Sequence, residues 1–154
     1  MSTTPSHCFV RVLDQDAALR FYTDLVGLEV RVDQRMGDYR WLTVGPRDQP
    51  DLEIGLSAVG PPIPPADVET VRELVAKGSM DSLIFATDDC AGTFARLRDA
   101  GAEVLQEPTE QFYGVIDCAF RDPSGNMVRF SQPLPGPGAA QLSLRTSAGS
   151  PPPA

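Results

Sequence analysis

The stretch FRDPSGNMVRF, residues 120–130, sets an arginine just beyond a tight turn. Asp122-Pro123-Ser124-Gly125-Asn126 supplies the turn, because proline presets φ, glycine tolerates a positive φ, and Asp and Asn side chains bond their own backbone. Strand alternation then sends Val128 and Phe130 to one face and Met127, Arg129 and Ser131 to the other. On that face Arg129 either meets water or lines a pocket, where its fork can grip an anion. His7 is the only histidine, so no pair of imidazoles can hold a metal. Glu53 in DLEIGL points away from Leu52 and Ile54, as a solvated carboxylate or as a pocket group. Ser82 sits in DSLIF, which is not a nucleophile elbow, so no Ser-His-Asp hydrolase can be assembled.

Aromatic residues offer a second kind of chemistry. Tyr39, Trp41 and Thr43 share one strand face in DYRWLTV, and two rings there would give a flat apolar surface for a ring-containing ligand or fill a core. Phe112 and Tyr113 fall in EQFYG, ahead of a strand, where rings either rim a pocket or pack on a neighbouring module. The loop GPRDQPD (45–51) lacks the G-x-x-x-x-G-K pattern that cradles phosphate. Cysteines 8, 90 and 118 are odd in number and far apart. That pattern suits buried thiols rather than a disulfide framework or a zinc knuckle.

The whole chain bounds these chemistries. Its 154 residues carry a net charge of −8 and a single lysine, Lys77, which excludes the clustered cations that nucleic acid requires. An apolar share of 42% supports a real core, and no run is long enough for a membrane span. The N-terminal MSTTPSH lacks the basic-then-apolar build of a secretory signal, so the expected location is the cytosol.

The elements that must position these side chains come in two copies. VLDQDAALRFYTDLVGLEV (12–30) and ATDDCAGTFARLRDAGAEV (86–104) each read as strand end, helix and new strand, offset by about 75 residues. Asp14 opens the first helix and Asp88 or Asp89 the second as N-caps. Leu19, Tyr22 and Val26, and then Phe94, Leu97 and Ala100, make the apolar stripes. Gly27 and Gly101 fit left-handed helix stops. Further strands at 38–45, 51–57, 114–122 and 126–132 give the order β-α-β-β-β twice, an α+β fold. The first module spans 1–58, a Pro-rich linker and short helix 59–79, and the second module 80–132. In the linker Asp67 is the expected N-cap, ahead of the stripe Val68, Val71, Leu74 and Val75. The Pro-, Gly- and Ala-rich tail, 133–154, is expected to be mostly disordered.

With HCFVRVLDQDAALRFYTDLVGLEV, SLIFATDDCAGTFARLRDAGAEVLQEP and GVIDCAFRDPSGNMVRF in place, the chain resembles the vicinal oxygen chelate superfamily. That group holds glyoxalase I, extradiol dioxygenases, fosfomycin-resistance and bleomycin-resistance proteins, and the resemblance runs from His7 to Gln132. It implies two βαβββ modules whose mixed sheets curl into an open cup. It also implies that the cup-facing positions used by metal-dependent members fall at His7, Glu53, Ser82 and Arg129. Only His7 and Glu53 are usable ligands for zinc, nickel, manganese or iron. A fixed positive charge about 4 Å from a divalent ion costs on the order of 8 kcal/mol at an effective dielectric of about 20.

The expectation is therefore a metal-independent binder of a small molecule, with His7, Tyr39, Trp41, Glu53, Ser82, Phe112, Tyr113 and Arg129 lining the pocket and no cofactor. The alternatives are a metal-dependent lyase or dioxygenase using His7 and Glu53, and a metal-free enzyme using Arg129. Glu53 and Arg129 would either pair across the cup or leave Arg129 free for an anionic ligand. The resemblance further implies a homodimer with its cups at or near the interface.

Overall fold

A computed structural model of the chain describes residues 1–136. Strand β1 (His7–Val12) runs into helix α1 (Gln15–Arg20), which continues as a wider π turn over Phe21–Leu25. Strands β2 (Glu29–Met36), β3 (Tyr39–Gly45) and β4 (Glu53–Ala58) complete a sheet ordered β1-β4-β3-β2, with β1 parallel to β4. Helix α2 (Val68–Ala76) leads to the second copy: β5 (Ser82–Ala86), α3 (Cys90–Asp99), β6 (Glu103–Gln111), β7 (Val115–Arg121) and β8 (Met127–Pro133), ordered β5-β8-β7-β6. The fold is the expected α+β pairing of βαβββ modules. None of the described helices is long and apolar enough to cross a membrane.

Local chemistry explains the element ends. The Asp14 carboxylate accepts the Ala17 N–H at 2.9 Å, and Asp89, rather than Asp88, accepts the Gly92 N–H at 2.8 Å, each satisfying an orphan donor of a first turn. Gly27 and Gly101 end these helices at φ of 91° and 87°, where a Cβ would be strained.

Four expectations need correction. Ala100 is exposed, because the helix ends there and its face turns to solvent. Asp67 makes no side-chain cap, since a 3₁₀ turn over Pro65–Asp67 feeds the chain into α2. Cys90 and Cys118 are buried but Cys8 is exposed, at the outer end of an edge strand ahead of the covered Val10 and Val12. Pro133 still belongs to β8, and the Leu134 N–H donates to the Gly114 carbonyl at 2.9 Å. The rest of the tail, 137–154, lies outside the described residues.

Alternation decides what each sheet buries. Val10, Val12, Leu42, Val44, Ile54 and Leu56 of the first sheet meet Ala18, Phe21 and Tyr22; Phe120, Val128 and Phe130 of the second meet Cys90, Phe94 and Leu97. All belong to one buried cluster. Each such Val, Leu or Phe contributes about 1.5–3 kcal/mol of burial. The helix-bearing faces thus share a core, although the two sheets are not hydrogen-bonded to each other.

The modules meet at a buried polar joint, besides the Arg96 guanidinium donating to the Leu25 carbonyl. Asp122 Oδ1 accepts three backbone N–H groups of its own turn, from Ser124, Gly125 and Asn126, at 2.8–3.0 Å. Its Oδ2 accepts the Asn126 amide at 3.0 Å and the Tyr22 hydroxyl at 2.8 Å. The same turn reaches β1: Ser124 Oγ accepts the Leu13 N–H, and the Asn126 amide donates to the Arg11 carbonyl. Tyr22 and Asp122 are both buried, so neither has water as a substitute partner. Tyr22→Phe should lower unfolding free energy by about 1–3 kcal/mol, and Asp122→Ala by more, because it also orphans the turn's donors. Urea denaturation with an unchanged m-value would register both, and an unmoved midpoint for Tyr22→Phe would remove the joint from the stability account.

Candidate functional site

With the core on one side, each sheet turns its other face outward. On the first sheet that face carries His7, Phe9 and Arg11 from β1, Tyr39, Trp41 and Thr43 from β3, and Glu53, Gly55 and Ser57 from β4. The register sets His7 beside Glu53, Phe9 beside Gly55 and Arg11 beside Ser57. His7 Nε2 lies 3.6 Å from Glu53 Oε2, and the Thr43 hydroxyl donates to the same oxygen at 2.6 Å. Thr43 is aimed there because its Oγ1 accepts the Val32 N–H at 3.2 Å.

Three rings gather beside this pair. The centroid separations are 6.4 Å for His7–Phe9, 6.1 Å for His7–Trp41 and 5.7 Å for Phe9–Trp41, the last edge-to-face, a favoured aromatic geometry. Gly55 is the floor: a Cβ there would stand 2.3 Å from a Phe9 ring carbon, so a side chain would push the ring off the sheet. Phe9 remains 49% exposed. A large apolar ring held half-open on a rigid sheet is a contact surface rather than core.

The second sheet's outer face is built around a polar network, with Ile84 exposed beside Arg129. Arg129 Nη1 lies 2.9 Å from the Asp117 carboxylate, whose side chain is 1% exposed. Asp117 also accepts from the Gln106 and Gln111 amides at 2.7 and 2.9 Å and from the Tyr113 hydroxyl at 3.3 Å. Arg129 donates in addition to Gln106 Oε1 at 3.2 Å. Burial alone would push the Asp117 carboxyl up. Hydrogen bonds from Gln111, Gln106 and Arg129, with the Arg129 charge, outweigh it and hold the group below the ordinary carboxylate value.

The sequence-predicted residues therefore divide. His7, Trp41 and Glu53 come together on the first sheet, Arg129 and Tyr113 on the second. Tyr39 is exposed at the outer end of β3, Ser82 is exposed at the start of β5, and Phe112, 99% exposed, packs edge-on against Tyr113 at 5.0 Å. The pair considered between Glu53 and Arg129 does not form, because each has a nearer partner in its own sheet. Nor are the two positions equivalent: Glu53 lies beside His7, whereas Arg129 lies beside Ile84, as Gly55 does beside Phe9.

Phe9 and Asp117 are among the residues that the sequence reading did not single out. Both were within reach of alternation. Phe9 shares the parity of His7 in HCFVRV, and Asp117 is the one charged residue inside VIDCAF, on the parity opposite Ile116, Cys118 and Phe120.

The positions matched to metal ligands thus supply an imidazole, a carboxylate, a hydroxyl and a guanidinium. A guanidinium has no lone pair to donate. Among the described residues no three of His, Cys, Asp and Glu are grouped as a metal site requires. This donor set does not fit a divalent ion.

The model of the Glyoxalase/Bleomycin resistance protein/Dioxygenase superfamily matches residues 4–130. The chain belongs to this superfamily. Among solved structures it is similar to UcmS2, with 40% identity, a TM-score of 0.78, and coverage of 85% of this chain and 98% of that one. It is also similar to TnmS3, an antibiotic binding protein from Streptomyces sp. CB03234, with 31% identity, a TM-score of 0.67, and coverage of 86% and 97%. The uncharacterized protein YurT of Bacillus subtilis (strain 168) is 34% identical over 123 residues, 79% of this chain and 92% of that protein.

Within this superfamily fold, the Asp117–Arg129 pair generates a pH prediction. Asp117→Asn should cost about 3 kcal/mol at neutral pH, since it leaves a partly buried guanidinium uncompensated. The folded carboxyl titrates below its unfolded value of about 3.9, so the pair's contribution is complete above that pH and is lost as pH falls through the folded pKa. Urea unfolding from pH 7 to pH 2.5 should show the gap between parent and variant narrowing only below about pH 4. A gap independent of pH would contradict this assignment.

Proposed function

We propose that the protein is a cytoplasmic, metal-independent small-molecule binder whose pocket is completed by a second copy of the chain. The observation that carries this reading is the half-open cluster of His7, Phe9 and Trp41 on its Gly55 floor. Flat rings on a rigid sheet suit a planar organic molecule, and the similarity to TnmS3, an antibiotic binding protein, supports an antibiotic-like ligand.

Ligand pockets bury most of the molecule they hold, and one open sheet face cannot. A two-fold partner would set the polar face of one copy's second sheet, with Arg129, Tyr113 and Gln106, against the aromatic face of the other's first sheet. Metal independence is supported by the donor set, since Arg129 replaces an anionic or neutral ligand with a cation.

Trp41 is the single tryptophan, so its fluorescence reports on the platform. In chelator-treated protein, a planar polycyclic probe should quench it saturably, and Phe9→Ala should weaken binding about tenfold, or about 1.4 kcal/mol. Sedimentation should give a dimer. Near-stoichiometric zinc, nickel, manganese or iron in protein purified without a metal-affinity tag, lost in His7→Ala, would overturn the metal-free reading.

The 3.6 Å approach of His7 to Glu53 favours a second reading, in which the two act as acid and base on the bound molecule. It predicts chelator-insensitive turnover that Glu53→Gln abolishes while binding persists.

A further inference from the structure

We propose that Arg11 is the ligand-gripping cation of the first sheet, and that the molecule bound there is a planar aromatic carrying an anionic oxygen group. This rests on the binder reading above and names the chemistry of its ligand. Arg11 follows His7 and Phe9 on the same face of β1, beside Ser57. At about 3.3 Å per residue, it stands roughly 7 Å beyond Phe9 along the strand. That is the distance from the middle of a fused ring system to a substituent on its end.

Elimination points the same way. Arg129 is matched by Asp117 at 2.9 Å. Arg40 bonds Asp16 and Asp33 at 2.7 and 2.8 Å. Besides Arg11, the arginines without an ion pair among the described residues stand on helices, Arg20, Arg72 and Arg96, or beside Arg40 in the β2–β3 register, Arg35, one residue off the parity that faces Trp41. Arg31 lies 3.3 Å from Glu29, and Arg121 lies 3.6 Å from Glu103 and donates to the Gly125 carbonyl. The Arg11 guanidinium has no ion-pair partner among the described residues. The Asp81 carboxylate accepts the Arg11 backbone N–H at 2.8 Å without pairing with its guanidinium, and Glu53, beside His7 at the far end of the strand, is about 13 Å away by the same rise.

The Arg11 backbone is pinned from both sides. Asp81 Oδ2 accepts its N–H at 2.8 Å and the Asn126 amide donates to its carbonyl at 2.7 Å. A fixed stem and an intermediate exposure suit a charge-assisted bond to an anion, because the ordering cost of the backbone is already met.

The test compares 2-naphthoate with its uncharged counterpart 2-naphthalenemethanol by calorimetric titration. The parent should prefer the carboxylate by about tenfold. Arg11→Met should erase that preference while leaving the alcohol's affinity and the melting temperature unchanged, and Arg11→Lys should keep part of it, since the charge remains but the fork is lost. Equal affinities in the parent, or equal losses of both probes in Arg11→Met, would overturn the assignment while leaving the binder reading intact. A dimer that weakens in Arg11→Met with the preference unchanged would give Arg11 to the subunit contact and overturn it too. Failure of both probes to bind the parent in a Phe9-dependent manner would overturn the binder reading and Arg11 with it.

Discussion

The Asp122 carboxylate is the constraint on which the rest of the molecule depends. Five hydrogen bonds converge on it, three from its own turn, one from Asn126 and one from Tyr22 of the other module. A buried carboxylate is tolerable only when its lone pairs are filled, and here filling them ties the last turn of the second module to the first helix. Helix faces must then meet, one core forms between the sheets, and the remaining face of each sheet is turned outward. The candidate site is thus oriented by contacts that lie outside the site itself, this joint and the shared core.

The two outward faces have diverged to opposite chemistries on one backbone plan. The first keeps rings, one carboxylate and one cation spread over β1, β3 and β4. The second gathers its charge into a self-neutralising knot in which Asp117 takes up the guanidinium and two amides hold the carboxylate in place. Register shows how this was done. Gly55 and Arg129 occupy corresponding places beside Phe9 and Ile84. The smallest residue there allows an aromatic platform, and one of the largest fills the same spot with a polar network.

Much of the fold was legible in the sequence because its signals are local. Asp14, Asp89, Gly27 and Gly101 mark helix ends through their own backbone chemistry, and alternation sorts Val128 and Phe130 from Arg129 without knowledge of the partner strand. The composition of the site was less legible. Which residue Arg129 meets depends on the pairing of β7 with β8 and of β6 with β7, and a sequence gives each strand's parity but not its register against its neighbours. Whether Glu53 and Arg129 could pair across the cup was undecidable from parity for that reason. Phe9 was passed over because a phenylalanine in an apolar strand reads as core until Gly55 beneath it shows that the ring lies on the open face.

The outer edge of β1 has one more consequence. An edge strand with free N–H and C=O groups is a template for another chain to pair with. Here Asp81, Ser124 and Asn126 occupy the donors and the acceptor at Arg11 and Leu13. Asp81 stands at the start of the second module, and Ser124 and Asn126 near its end. Covering that edge at both Arg11 and Leu13 therefore takes residues from both ends of the second module, which shields a stretch of β1 that the first sheet leaves bare.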